Sequence, residues 1–463
     1  MELHLNHYKE NTKKLFRLAT PIFISQLAVS GMGLSDIIMA GLVSDADVSA
    51  IAVSNSIYFP LFLFVLGVLN AITPTVSYLN GSNQRHLIAH QIRQGVWLVF
   101  VLSIPLLAVY LNSDLILESM KTPAEFANKA YSYLSIISIG LIPALLSINL
   151  RCLNDGLSNP KPAMLIMFTG LLFNIPLNYI FIFGKFGLPA LGAIGCGVST
   201  AIINWIMFSL MVTYCYTNKS QKDIQLFAKW IEFPEWATIV KLLKLGIPIG
   251  FSLFTEVMLF STSSLIMSRL GAQVVASHQV ALQTSSLFFM IPLSLGIAST
   301  IMIGQTLGQK EIHKAKYLSY HNLITGMIIA LIIGVFIFIF KNLIPHAFTS
   351  EESSIMIASG LLVFAAIYQI PDSLQVITNG ILRGYKYTKP TLPITLFCYW
   401  IIGLPLGYIL SMTDWLGEPM AAKGFWVIFC VTLSLSSVLL IYQMRKIQSI
   451  PEQALIDRLE AIK

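Results

Sequence analysis

Charge is scarce in this chain: Asp, Glu, Lys and Arg make up 11% of its 463 residues, while 56% are hydrophobic. A soluble domain carries about 25% charged and about 45–50% apolar residues, so water is excluded as the main solvent. Cysteine is sparse too. Cys152, Cys196, Cys215, Cys398 and Cys430 stand in no CxxC or Cys/His spacing, which leaves neither a disulfide framework nor a zinc site to organise the fold. The sequence has no Gly-x-x-x-x-Gly-Lys-[Ser/Thr] run, hence no Walker-type cradle for ATP, and energy for any work must come from a gradient or a partner. It also lacks a Ser/His/Asp, HExxH or paired-carboxylate arrangement, which argues against an enzyme.

What is present is a recurring apolar run of about 20 residues, the length a helix needs to cross ~30 Å of hydrocarbon with its backbone hydrogen bonds satisfied internally. Twelve such runs are read at 17–42, 50–79, 94–112, 131–153, 163–183, 192–216, 241–267, 275–303, 317–340, 355–380, 391–412 and 422–443. The first is too long, and too poorly flanked by small residues, for a cleaved signal peptide. The net charge of +7 does not point to nucleic acid, because the basic residues follow membrane side rather than forming a basic domain. Placing the termini and every even-to-odd connection on one side collects 23 of the 29 basic residues there and leaves Lys121, Lys129, Lys185, Arg269, Lys341 and Lys423 opposite. The positive-inside rule then expects both termini in the cytoplasm.

The chain also repeats itself. Shifted by about 227 residues, Lys14-Leu15-Phe16-Arg17-Leu18 and Pro21 align with Lys241-Leu242-Leu243-Lys244-Leu245 and Pro248. Pro143 falls on Pro371, Gly156 on Gly384, Lys161-Pro162 on Lys389-Pro390 and, with one residue inserted, Pro176 to Ile180 on Pro405 to Ile409. Six spans per repeat make both halves enter from one side, related by a pseudo-twofold axis along the membrane normal. The expected division is an N-terminal six-helix lobe over 1–218, a charged cytoplasmic linker over 219–240 and a C-terminal lobe over 241–463. Prolines within spans (Pro21, Pro143, Pro248, Pro292, Pro371) bend helices, either as hinges or as static kinks.

Three acids, Asp36, Glu256 and Asp372, fall inside spans with no intramembrane Lys or Arg read to neutralise them. A carboxylate at that depth costs several kcal/mol unless it is wet, paired or protonated, which makes its default reading functional. Their repeat counterparts are Ser263, Val29 and Ala144, so the fold itself does not require an acid there. Such groups suit a cation or proton that comes and goes. Tyr368 lies one turn before Asp372, and Asn174 one turn before Asn178, so each pair shares a helix face and can add oxygens to a site for a hard cation such as Na+. For the asparagines, hydrogen bonding between helices is the equal alternative. Abundant Phe (28) and Met (17) would suit a pocket for flat organic cations, although most such side chains face lipid or pack between helices.

Ser35-Asp36, Thr255-Glu256 and the stretch Gln369-Ile370-Pro371-Asp372-Ser373-Leu374-Gln375 leading to Asn379-Gly380-Ile381-Leu382-Arg383-Gly384 together resemble the multidrug and toxic compound extrusion (MATE) family, closest to its bacterial NorM-type branch. The likeness covers nearly the whole chain. It implies an all-α membrane protein with twelve transmembrane helices in two lobes, in the bacterial inner membrane. It further implies alternating-access export of organic, mostly cationic, drugs in exchange for Na+, without a cofactor or an ATPase subunit, by a monomer. By the same resemblance Glu256, Asp372 and Tyr368 form the C-lobe cation site, and Asp36, Asn174 and Asn178 the N-lobe site. Asn178 stands where some relatives have an acid, which weakens the case for coupling by protons alone through that lobe. The alternatives are an H+-coupled antiporter, a flippase or exporter of another amphiphile, and a non-transporting scaffold.

Overall fold

The computed structural model describes residues 2–229 and 232–461. Trp230 and Ile231 of the expected linker, and Lys463 of the basic tail, lie outside them. The described chain is helical: α1 (Glu2–Gly41), α2 (Asp45–Leu69), α3 (Ile72–Gly81), α4 (Ile88–Leu111), α5 (Ser113–Ser119), α6 (Ala124–Ile139), α7 (Leu141–Gly156), α8 (Lys161–Phe183), α9 (Ala193–Thr217), α10 (Trp236–Met267), α11 (Ala272–Gly308), α12 (Ile312–Phe340), α13 (Glu352–Gly384), α14 (Thr391–Thr395), α15 (Leu404–Met412), α16 (Ala422–Gln448) and α17 (Glu452–Ala461). Among the described residues eleven stretches are long and apolar enough to cross a membrane, and the bent pair α6–α7, counted as one span, makes a twelfth. The outward face of α12 shows what these helices meet: Ile328, Leu331, Ile332, Val335 and Ile339 are all exposed, a surface only lipid tails solvate well.

The run read as one span over 131–153 is broken at Gly140, where α6 and α7 meet at 47°. A Cβ on Gly140 would come within 2.8 Å of the Ala201 Cα on α9, so the helices approach through bare backbone. Pro143 sits in the first turn of α7 rather than in mid-helix, where its missing N–H costs nothing. The eleventh span departs from the α-helix differently, with a π-helical stretch, Leu396–Gly403, between α14 and α15.

The chain forms two compact units, Thr20–Gly250 and the segment up to Ala19 together with the chain from Phe251 onward. Both α1 and α10 therefore contribute to both. At the start of α1, the Thr12 hydroxyl lies 3.0 Å from His321 Nε2 on α12. In the other unit, Gly246 and Gly250 of α10 lie against the Val68 and Phe64 backbone of α2. The core of Thr20–Gly250 gathers Val65, Leu69, Ile72, Leu98, Leu145 and Met211, and that of the second unit gathers Leu361, Tyr368, Tyr399, Trp426 and Phe429.

The connector before α10 is pinned to α4 and to the turn, Arg85–Leu87, that precedes it. Arg85 donates to Asp223 at 2.6 Å, Arg93 and His90 both hold Glu232, and Trp97 Nε1 donates to the Glu232 carbonyl at 2.6 Å. Partial burial pushes the Glu232 carboxyl up, but the hydrogen bonds from His90 and Arg93 outweigh it and hold it below the usual carboxylate range.

Candidate functional site

Five acids of the helical spans are buried or half-buried, and two of them are compensated by cations. Asp47 accepts from Lys129 at 3.0 Å and from the Ala193 N–H at 2.8 Å, and Asp155 pairs with Arg151 at 3.4 Å. Among the described residues, Asp36, Glu256 and Asp372 have no Lys, Arg or His within ion-pair distance.

Asp36, near the end of α1 and 8% exposed, is met by neutral donors. Asn174 Nδ2 lies 3.0 Å and Asn178 Nδ2 2.6 Å from its Oδ1, and Thr200 Oγ1 of α9 lies 3.4 Å from its Oδ2. One helical turn separates the asparagines on α8, which lets both amides reach one carboxylate oxygen. Asn178 Nδ2 also lies 3.3 Å from Asn174 Oδ1. With the amide nitrogen of Asn178 so engaged, its Oδ1 is buried and without a hydrogen-bond partner among the described residues. A bare amide oxygen beside a carboxylate is a ready cation ligand.

In the second unit, Glu256 on α10 is half-buried, and Tyr368 and Asp372, one turn apart on α13, are 5% and 3% exposed. Glu256 and Asp372 lie within electrostatic reach of each other, and both lie within reach of Tyr368 and Tyr399. Tyr399 donates to Gln375 Oε1 at 2.7 Å, which leaves its own oxygen lone pairs free to accept. Next to it Trp400 Nε1 donates to the Thr255 carbonyl at 3.2 Å, tying the π-helical stretch to the turn of α10 that carries Glu256. The structure thus brings together all six residues singled out from the sequence, three in each half.

The reading that no basic residue lies near these acids needs correction for one of them. α13 runs unbroken to Gly384, and Arg383, half-buried near its end, acts electrostatically on Glu256. Sequence reasoning assigned Arg383 to a connection because hydropathy falls before the helix ends. It also missed Thr200, Gln375 and Tyr399. Gln375 had a signal in its spacing, about one turn after Asp372. Tyr399 had none, because a π-helical stretch shifts the register on which helical spacing depends.

Comparison with known proteins decides the family. The MatE family model matches residues 21–180 and again 248–409, two segments beginning 227 residues apart, as the internal repeat does. The chain belongs to the MATE family. It is 68% identical over the full length of both chains to "Probable multidrug resistance protein NorM" of Haemophilus ducreyi. With "Multidrug resistance protein MdtK" of Yersinia pseudotuberculosis it shares 42% identity over 98% of this chain and 99% of that one. The fold matches the eukaryotic MATE transporter AtDTX14 with a TM-score of 0.88 at 20% identity, covering 98% of this chain and 100% of the other. It also matches a MOP superfamily transporter from Pyrococcus furiosus with a TM-score of 0.84 at 17% identity, covering 95% and 96%. As a MATE protein the chain is a multi-pass membrane transporter and not an enzyme.

Proposed function

We propose that this MATE protein is a multidrug efflux antiporter of the bacterial inner membrane, with both termini cytoplasmic, that exports organic cations in exchange for Na+. The observation that carries the Na+ reading is that Glu256 and Asp372 lie within electrostatic reach of each other in one half, with the phenols of Tyr368 and Tyr399 within reach of both. Two carboxylates sharing a low-dielectric site repel unless a proton or a cation lies between them. Neutral oxygens are what a hard cation needs to complete its shell and what a proton has no use for. Multidrug export is supported by the names of the NorM and MdtK relatives, and the positive-inside asymmetry supports the orientation. We take the working unit to be a monomer, since the candidate residues of each group, Asp36, Asn174 and Asn178 or Glu256, Tyr368 and Asp372, come from one chain.

Coupling follows from linkage. If Na+ and drug favour competing conformations, each lowers the affinity of the other by the same factor. Where they also compete for the same carboxylates, two positive charges exclude one another. The test is drug export from proteoliposomes under separately imposed Na+ and pH gradients. A Na+ gradient at matched pH should drive export, and Glu256→Gln or Asp372→Asn should abolish that response. Export driven fully by a pH gradient without Na+, and unaltered by adding it, would move the coupling to protons. Asp36 is then the group to examine, because its neutral donors leave it free to exchange a proton without breaking an ion pair.

A further inference from the structure

Near the N-terminal end of α11, His278 is fully buried with both ring nitrogens engaged. Nε2 lies 3.1 Å from Ser264 Oγ on α10, and Nδ1 lies 3.1 Å from Trp426 Nε1 on α16. Its partners settle where its proton resides. An indole N–H can only donate, so Nδ1 accepts and is bare. The Ser264 hydroxyl gives its own hydrogen to the Phe260 carbonyl at 2.9 Å, so its oxygen accepts and Nε2 carries the proton. His278 is therefore a neutral imidazole of one tautomer, tying three helices together.

What it ties down is Trp426, 1% exposed. The indole crosses the Tyr368 ring edge-to-face, with centroids 5.7 Å apart and planes at 81°, and Phe429 flanks it at 5.8 Å. Edge-to-face pairs are directional and worth about 0.5–1.5 kcal/mol, so the angle of one ring biases the angle of the other. Tyr368 is the phenol one turn from Asp372; its oxygen lies on the axis of the ring, with Ser285 of α11 beside the hydroxyl, and the plane of the ring sets the direction in which the O–H and its lone pair point.

We propose that His278 is a positioning residue of the C-half cation site: its Nδ1 holds Trp426, and Trp426 sets the plane of the Tyr368 ring so that the lone pair of the phenol is turned toward the Glu256 and Asp372 pair. This rests on the reading of that pair as the coupling site. The competing account is that His278 only fills the core between α10, α11 and α16. The two differ in which atom matters. His278→Asn keeps an acceptor close to the place of Nδ1, whereas His278→Leu fills the space and has none.

The experiment titrates Na+ against drug export in proteoliposomes for the parent, His278→Leu, His278→Asn, Trp426→Phe and the double variant His278→Leu/Trp426→Phe. Loss of one hydrogen bond and one aligned aromatic contact should raise the half-saturating Na+ concentration roughly threefold to tenfold in His278→Leu and in Trp426→Phe. The maximal rate should stay within about twofold, as expected when binding rather than turnover is weakened. His278→Asn should return close to the parent, and the double variant should shift no further than either single one. The proposal is overturned if half-saturation is unchanged in both single variants, or if His278→Asn behaves as His278→Leu does. Should His278→Leu fail to fold, Trp426→Phe and His278→Asn still decide between the accounts. If the parent ignores Na+, the sodium reading fails, and the same comparison made as a proton titration tests His278 on its own.

Discussion

Asp47 and Asp155 show what a structural acid looks like in this molecule: each is buried and each has a cation at hand. Asp36, Glu256 and Asp372 have neutral donors, a distant guanidinium or each other instead. Asp36→Asn, Glu256→Gln and Asp372→Asn should each leave yield and membrane insertion unchanged, since each keeps the side-chain volume while removing a charge. Gradient-driven export should be abolished or severely reduced in each. Resistance to cationic toxicants equal to that of the parent, at equal expression, would remove all three from the mechanism. Glu232 makes a different prediction. Its carboxyl is held below the usual range, so its contribution to stability is present above the ordinary carboxylate value and is lost as pH falls through the depressed one. Glu232→Gln should lower the melting temperature at neutral pH, and the two melting curves should converge in acid. A gap that stays constant with pH would mean that the charge of Glu232 is not what holds the connector. The acids were legible in the sequence because burying a charge is costly enough to stand out against an apolar run. Thr200 and Tyr399 were not, because a hydroxyl is ordinary in a membrane helix and only the packing of a second helix gives it a role.

Helices α11 and α13 meet through glycine. A Cβ on Gly380 would lie 2.1 Å from the Gly296 carbonyl oxygen, and Thr300 Oγ1 donates to the Gly380 carbonyl at 2.8 Å. The obstacle is backbone, which cannot swing aside as a side chain does. Gly380→Val should therefore destabilise the C-half by about 1–3 kcal/mol or more, as overpacking does. Thermal unfolding in detergent is the check, and a melting temperature equal to that of the parent would show that the crossing has slack. Because α13 carries Tyr368 and Asp372, a shifted crossing should also weaken cation dependence. At this scale hydropathy located the spans but not their irregularities. The break at Gly140 and the π-helical stretch Leu396–Gly403 leave the apolar run intact. Each depends on a neighbour, Ala201 for the first and the partners of Tyr399 and Trp400 for the second, and a single run says nothing of its neighbours.

The 227-residue repeat was readable from a handful of prolines, glycines and lysines, and the paired match to the MatE family bears it out. The contribution of α1 and α10 to both compact units was not readable, since it depends on where long helices continue beyond the apolar stretch. Orientation is testable at this scale. A cysteine placed near Lys222 should resist impermeant reagents added outside intact cells, while one near Asp45 should label. Equal labelling would reverse or dissolve the assigned topology. The central claim, that drug and Na+ exchange through one molecule, is reached most directly by running the exchange with drug as the driving force. Proteoliposomes with equal Na+ and equal pH on both sides, given a gradient of a cationic drug, should show radioactive sodium moving uphill against the drug flux. That movement should be absent in Glu256→Gln. Sodium that stays at equilibrium while drug crosses at an undiminished rate would contradict the account.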